Sequence, residues 1–282
     1  MAFNTPSKPS APQPTIAFVG GGNIASALIG GLLKRGLPVA QIQVVELLES
    51  QRAVLAQQFG IEALSMPGPA LAQAATVVWA VKPQTFKDAA LQTRFHTKNA
   101  LHVSVAAGIR SDSMAHWLGT QRVIRTMPNT PALIGKGITA LFARGGATPA
   151  DRAAAEAIIK TTGDFLWLSD EAQLDAVTAL SGSGPAYVFY FIEAMIEAGM
   201  NMGLTREQSH QLAVGTFVGA SALAQEASDP PEVLRARVTS KGGTTFAALT
   251  SMAQDDVKMQ FMRAMHAARQ RAKELGDEFG AD

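Results

Sequence analysis

The sequence contains no cysteine among its 282 residues. That excludes disulfides, thiolate catalysis and cysteine metal sites, and it fits a reducing compartment. A cytoplasmic location is the expectation. No run of about 18 or more apolar residues occurs, the length a transmembrane helix needs, so no membrane role is expected. Neither charge sign dominates: 24 Lys and Arg face 23 Asp and Glu, for a net charge of +1. Without a broad basic field, no nucleic-acid partner is expected. The five histidines (His96, His102, His116, His210, His266) form no ligand-spaced pair, so no metal site is expected. Residues 1–14 carry four prolines among small and polar residues and lack the apolar core of a secretory signal. They read as a disordered tail.

With 47% apolar and 17% charged residues, the chain can bury a substantial core in one large domain or two ordinary ones. It is organised around Thr15–Leu28, TIAFVGGGNIASAL. An apolar run leads into Gly20-Gly21-Gly22, and a helical pattern follows from Asn23. This is the strand, glycine loop and helix start of a dinucleotide-binding unit. Gly20 allows the tight turn, Gly22 lets the backbone approach a pyrophosphate, and Ala25 permits close helix–strand packing. The unpaired N–H groups of the helix start would face the phosphates. The alternative is a glycine-rich turn in some other α/β fold.

The first helix runs to about Arg35 and stops at Gly36. Ile42–Glu46 reads as the second strand, with Glu46 where an acid grips the adenosine ribose diol. Taken alone, Glu46 favours NADH, since a carboxylate repels a 2′-phosphate; the alternative is a solvated charge at a strand end. Ser50–Phe59 reads as a helix ending at Gly60. Further strands are expected over Thr76–Val81, Leu101–Val105, Arg122–Met127, Gly137–Ala143 and Asp164–Leu168, with an alanine-rich helix starting near Thr148-Pro149. From Glu171 onward the pattern is helical. A first segment, Leu174–Leu180, is interrupted by Ser181–Pro185 and continues over Ala186–Met200. Thr205 and Gln208 form a capping box for a helix over 206–227. That helix is apolar around much of its circumference, with Gly215 and Gly219 spaced for close contact. It should be buried on most sides, which predicts an intertwined helical dimer. Asp229 caps a short helix, and Asp255 or Asp256 caps the last one, which ends near Gly276.

The expected fold is therefore α/β: a doubly wound Rossmann-type domain over 15–170, then an all-helical substrate and dimerisation domain over 171–282. A site between the two is the default expectation. A second constellation is Ser240-Lys241-Gly242-Gly243-Thr244-Thr245, ahead of a helix starting near Phe246. A helix start surrounded by hydroxyls can cradle a carboxylate. The alternative is an ordinary N-cap, Thr244 or Thr245, on a glycine turn.

Five segments come in one order: GGGNIA, the AVKPQ of Ala80–Gln84, the MPNTP of Met127–Pro131, the LSGSGPAY of Leu180–Tyr187 and the SKGGTT of Ser240–Thr245. Together they closely resemble pyrroline-5-carboxylate reductase, the last enzyme of proline biosynthesis, from Thr15 to about Leu275.

The resemblance implies reduction of 1-pyrroline-5-carboxylate to L-proline by hydride transfer from NADPH or NADH. It implies that Val19, Gly20, Gly21, Gly22, Asn23 and Ile24 hold the cofactor pyrophosphate. Ala80, Val81, Lys82, Pro83, Val105, Ala106 and Ala107 would line the cofactor groove. Ser240, Gly243, Thr244 and Thr245 would bind the substrate carboxylate and ring, with Thr245 placed to hydrogen-bond the ring nitrogen and carry the catalytic role. Glu171 matches an acidic residue near the substrate and cofactor. Homodimers through the helical domain, joined into a ring of dimers, are also implied. Lys241 stands where the family has proline, Pro67 where it has asparagine, and Glu46-Leu47 where it has residues that help hold a 2′-phosphate. The cofactor is thus left as NAD(P)H. Two rival readings are a reductase of another small cyclic imine and a non-catalytic dinucleotide-binding homologue. The helix-breaking LSGSGPAY reads first as a packing device that lets a neighbouring chain approach.

Overall fold

Ala17 and Phe18, adjacent in the first strand, belong to cores on opposite faces of one sheet. Strands alternate their side chains with period two, so a run apolar at every position marks a strand covered on both faces. The computed structural model describes residues 15–280; the tail expected over 1–14 lies outside the described residues. The strands are β1 (Thr15–Val19), β2 (Ile42–Val45), β3 (Ala74–Trp79), β4 (Leu101–Ser104), β5 (Val123–Met127), β6 (Gly137–Ala143) and β7 (Gly163–Trp167). They form one sheet in the order β2-β1-β3-β4-β5-β6-β7. All neighbours are parallel except β5 and β6, which are antiparallel.

Helices α1 (Asn23–Lys34), α2 (Glu49–Phe59), α3 (Pro83–Thr93), α4 (Ser111–Leu118) and α5 (Pro149–Ile159) accompany the sheet. Leu28 and Ile29 of α1 and Ile158 and Ile159 of α5 share one core with Phe18, Val44, Val78 and Val103. Phe86 of α3 and Met114 and Trp117 of α4 share the other with Ala17, Val77 and Trp79. Fully burying Phe18, Phe86 or Leu28 contributes roughly 1.5–3 kcal/mol each. Inside the second core, Trp79 Nε1 donates to Nδ1 of His102 at 3.0 Å, and His102 is 1% exposed. Burial lowers the His102 pKa to about 4, against a weaker backbone hydrogen bond with Thr97 that favours the charged form.

A short helix α6 (Gln173–Val177) runs into a π-helical turn over Thr178–Gly182. Then come α7 (Gly184–Asn201), α8 (Arg206–Glu226), α9 (Pro231–Arg237), α10 (Thr244–Gln254) and α11 (Val257–Gly280). The described residues divide into two units, one of residues 15–182 with 269–280 and the other of residues 183–268. The sequence reading divides the chain at 170/171 instead. Glu171 and the buried Leu174 are held within the first unit, Glu171 by bonds to Ser111 and Arg125.

Several local expectations meet a different structure. Helix α4 follows β4 without a sequence prediction, because its eight residues are too few for a clear period. The last helix continues past Gly276 to Gly280. Gly276 is no stop signal; a Cβ there would lie 3.3 Å from Arg110 Nε, so its bareness serves packing. Asp229 does not cap α9, whose N-cap is Pro230; it pairs with Arg237 at 2.6 Å. Asp255 and Asp256 act at the start of α11 through their carbonyls, which accept from Gln260 Nε2 and Gln260 N. The expected capping box of Thr205 and Gln208 is present. Within the chain, Ser209 and Ala213 of α8 are buried, while Leu212, Val218 and Leu223 are exposed. A Cβ at Gly215 or Gly219 would meet nothing within 4 Å, so no close helix contact forms there among the described residues.

Candidate active site

The loops after β1, β3 and β4 emerge side by side at the carboxyl ends of adjacent strands. Gly20 N–H donates to Val45 O at 2.8 Å, Ala80 N–H to Val19 O at 2.8 Å, and Val105 N–H to Trp79 O at 3.0 Å. Gly20 has φ +95°, and a Cβ there would lie 2.5 Å from Ala80 O. Only glycine permits that approach. Val19, Gly20, Ala80 and Val81 are thereby brought together, with Val105 and the buried Ala106 just past the end of the next strand, β4. Lys82 is the exposed N-cap of α3 and Pro83 its first residue.

Gly22 is the N-cap of α1, and no side chain caps that helix. A Cβ on Gly22 would meet nothing within 4 Å, so open ground lies before the helix start, beside exposed Asn23. An uncapped helix start with its positive dipole end can receive an anionic group. Ile24 is turned the other way, packing against the core.

Gly21 is clamped. Its N–H donates to Glu46 Oε2 at 2.8 Å, and its carbonyl accepts from Gln51 Nε2 at 2.7 Å and Ser26 Oγ at 3.3 Å. The other Glu46 oxygen, Oε1, accepts from Leu48 N–H at 2.9 Å. Glu46 is therefore fixed at the end of β2 against the glycine loop. The part played by Gln51 carries no sequence signal, because it meets the loop from α2, 30 residues on, whereas Ser26 reaches back from the first turn of α1.

Glu171 lies apart from open ground. Its Oε1 accepts from Ser111 N–H at 2.6 Å and from Arg125 Nη1 at 2.6 Å, and its Oε2 accepts from Ser111 Oγ. It caps α4 from a distant part of the chain, in place of the local N-cap Arg110, which makes no side-chain cap bond. Helix α4 follows directly on the 105–110 loop, so this carboxylate anchors that loop. The C-terminal end of α11 adds to the anchoring. Asp277 pairs with Arg110 at 2.5 Å, and Leu275 Cβ lies 3.3 Å from where a Gly108 Cβ would be. Burial raises the pKa of nearby Asp175, against the opposing charges of Arg125, Arg110 and Arg269.

The second constellation belongs to the unit of residues 183–268. The N-cap of α10 is Gly243, so neither Thr244 nor Thr245 caps the helix; both lie in its first turn. Gly242 has φ +76°, and Gly243 N–H donates to Ser240 O at 3.0 Å. A Cβ on Gly243 would lie 2.6 Å from Ser240 Oγ, so the hydroxyl rests at the helix start. Ser240, Thr244 and Thr245 are exposed and no side chain caps α10. A hydroxyl, a hydroxyl-bearing first turn and uncapped N–H groups can together receive a carboxylate. In the first unit, Gly182 makes room for Met127, whose Cε would clash with a Cβ at that glycine. That contact gives part of the LSGSGPAY segment a packing role inside one chain.

A family model described as pyrroline-5-carboxylate reductase dimerisation matches residues 171–275. Another, described as NADP oxidoreductase coenzyme F420-dependent, matches residues 15–108. The pyrroline-5-carboxylate reductase of Pseudomonas aeruginosa is 43% identical over 269 residues, covering 95% of this chain and 98% of that protein. The Arabidopsis thaliana enzyme of that name is 36% identical, covering 92% of this chain and 95% of its own length. Among solved structures, a pyrroline-5-carboxylate reductase from Coxiella burnetii superposes with a TM-score of 0.86 at 34% identity, covering 93% of this chain and 98% of that one. A Plasmodium falciparum pyrroline carboxylate reductase with NADP bound gives 0.84 at 26% identity, covering 94% and 98%. Two prepared helix starts, a glycine loop clamped to a strand-end acid and this likeness along nearly the whole length lead to one statement: the chain belongs to the pyrroline-5-carboxylate reductase family.

Proposed function

We propose that the chain reduces 1-pyrroline-5-carboxylate to L-proline with NAD(P)H. The observation that carries this is the match to reductases of that name over more than nine-tenths of the chain, glycine loop and GGTT segment included. When bound, the reduced nicotinamide supplies the hydride that adds to the C=N carbon. The chain's residues bind, orient and protonate. Val19, Gly20, Gly21, Gly22, Asn23 and Ile24 form the pyrophosphate cradle, with the uncapped N–H groups of α1 toward the phosphates. Ala80, Val81, Lys82, Pro83, Val105, Ala106 and Ala107 line the groove; Gly20 on Ala80 supports this grouping. Ser240 and the N–H groups near Gly243 and Thr244 hold the substrate carboxylate. Thr245 hydrogen-bonds the ring nitrogen and relays to it a proton from water. Glu171 acts by anchoring the 105–110 loop, since its oxygens are engaged by Ser111 and Arg125.

The proposal includes a homodimer through residues 183–268, with such dimers joined into a ring in the cytoplasm, where reduced nicotinamide is available. Support for the dimer is the apolar surface that these helices expose: Tyr190 is 68% exposed, Val218 60% and Leu223 68%. An isolated chain rarely leaves such a patch in water.

The test is steady-state loss of nicotinamide absorbance with 1-pyrroline-5-carboxylate supplied. Turnover is expected with at least one of NADH and NADPH. Dinucleotide binding without turnover would overturn the reading, and point to another cyclic imine or to a non-catalytic homologue.

A further inference from the structure

We propose that Glu46 makes this chain select NADH over NADPH. This rests on the reductase reading above and adds the choice between dinucleotides. A ribose carrying a free 2′-hydroxyl offers donors to a carboxylate, whereas a 2′-phosphate brings two negative charges beside it.

The geometry fixes the carboxylate where that choice is made. Its two oxygens accept from Gly21 N–H and Leu48 N–H, at 2.8 and 2.9 Å. Swinging the side chain aside would leave both N–H groups without these partners. Gly21 cannot follow it, because its carbonyl is held by Gln51 and Ser26. Each carboxylate oxygen accepts more than one hydrogen bond, so both can still receive ribose hydroxyls.

The neighbouring sequence offers no compensating charge. Residues 47–51 are Leu, Leu, Glu, Ser and Gln, adding a second acid and no cation. Leu47 and Leu48 are 68% and 66% exposed. The next residue, Arg52, turns its Nη1 back onto the carbonyls of Glu46 and Leu47, at 3.0 and 2.7 Å. Its charge serves the loop's backbone.

The experiment titrates the whole protein with NADH and NADPH at low salt, following nicotinamide fluorescence, and repeats it by calorimetry with ADP and 2′,5′-ADP. NADH should bind at least about 10-fold more tightly than NADPH, and ADP more tightly than 2′,5′-ADP by a similar factor. Glu46→Gln keeps an acceptor for Gly21 and removes the charge. It should bring the two dinucleotides to within about 3-fold, mainly through tighter NADPH binding. The wild-type fragment titrations decide the matter even where a variant folds poorly. NADPH binding equal to or tighter than NADH overturns the proposal, and its loss in Arg52→Ala would assign the phosphate to Arg52. Failure to bind either dinucleotide overturns the reductase reading as well.

Discussion

Arg125 of β5 and Glu171, which lies between β7 and α6, meet through Nη1 and Oε1 at 2.6 Å, with side chains 9% and 22% exposed. Neither partner can be removed alone without leaving the other charge partly buried and uncompensated. Removing one member of a buried pair costs about 3–5 kcal/mol, and the partial exposure of Glu171 argues for the lower end. Glu171→Ala should therefore lower the unfolding free energy by about 3 kcal/mol, measured in urea. It should also weaken dinucleotide binding, because the 105–110 loop loses its anchor at Ser111. A rise in substrate KM with unchanged stability and cofactor affinity would instead make Glu171 a substrate ligand.

Thr245→Ala should lose about 10²–10⁴-fold in kcat/KM, the span for one positioned proton-transfer group. Thr245→Ser should retain most of the activity, since the hydroxyl survives. Near-wild-type kinetics in the alanine variant would remove Thr245 from the proton path.

Ser240→Ala should raise KM for the substrate by about 10-fold or more with little change in kcat, matching a lost hydrogen bond to a charged group. The KM for the dinucleotide should stay put. A fall in kcat at constant KM would show that Ser240 acts on the transition state.

His102 predicts an acid limit to stability. Its folded pKa of about 4 lies below the unfolded value of 6.5. Between those values the unfolded chain binds more protons, so stability rises with pH. The contribution is complete above about pH 6.5 and is lost as pH falls toward 4. At full extent it is on the order of 3 kcal/mol. Urea unfolding from pH 4 to 7 should show a slope in the wild type that His102→Gln reduces. Parallel curves for both proteins would place the acid sensitivity elsewhere.

Signals confined to a few neighbouring residues were legible in the sequence. β6 spans Gly137–Ala143 as expected, and the Thr205–Gln208 box opens α8. Gly60, at φ +68°, ends α2 as expected. The glycine loop joins the ends of β1, β2 and β3 because its turn chemistry admits few other conformations. What the sequence hid depends on partners far along the chain. The Ser111–Glu171 bond spans 60 residues, and the contact at Gly276 is made with Arg110. A glycine that ends a helix and one that admits a guanidinium look alike in one dimension. The helix expected from near Phe246 starts at Thr244 instead, because Gly243 already supplies the extended conformation an N-cap needs.

Helix α11 begins within residues 183–268 and finishes in the unit formed by residues 15–182. Phe279 packs against the core that holds Trp79, and Asp277 reaches Arg110. During synthesis the ribosome must therefore deliver the helical region before the nucleotide-binding fold receives its last piece. That fold waits for residues 269–280, so a nascent chain halted in α10 would present β4 and α4 with the covering side of Gly108 bare. Chaperone capture of such stalled chains, and their sensitivity to protease near residues 105–110, would follow from the order of the chain alone.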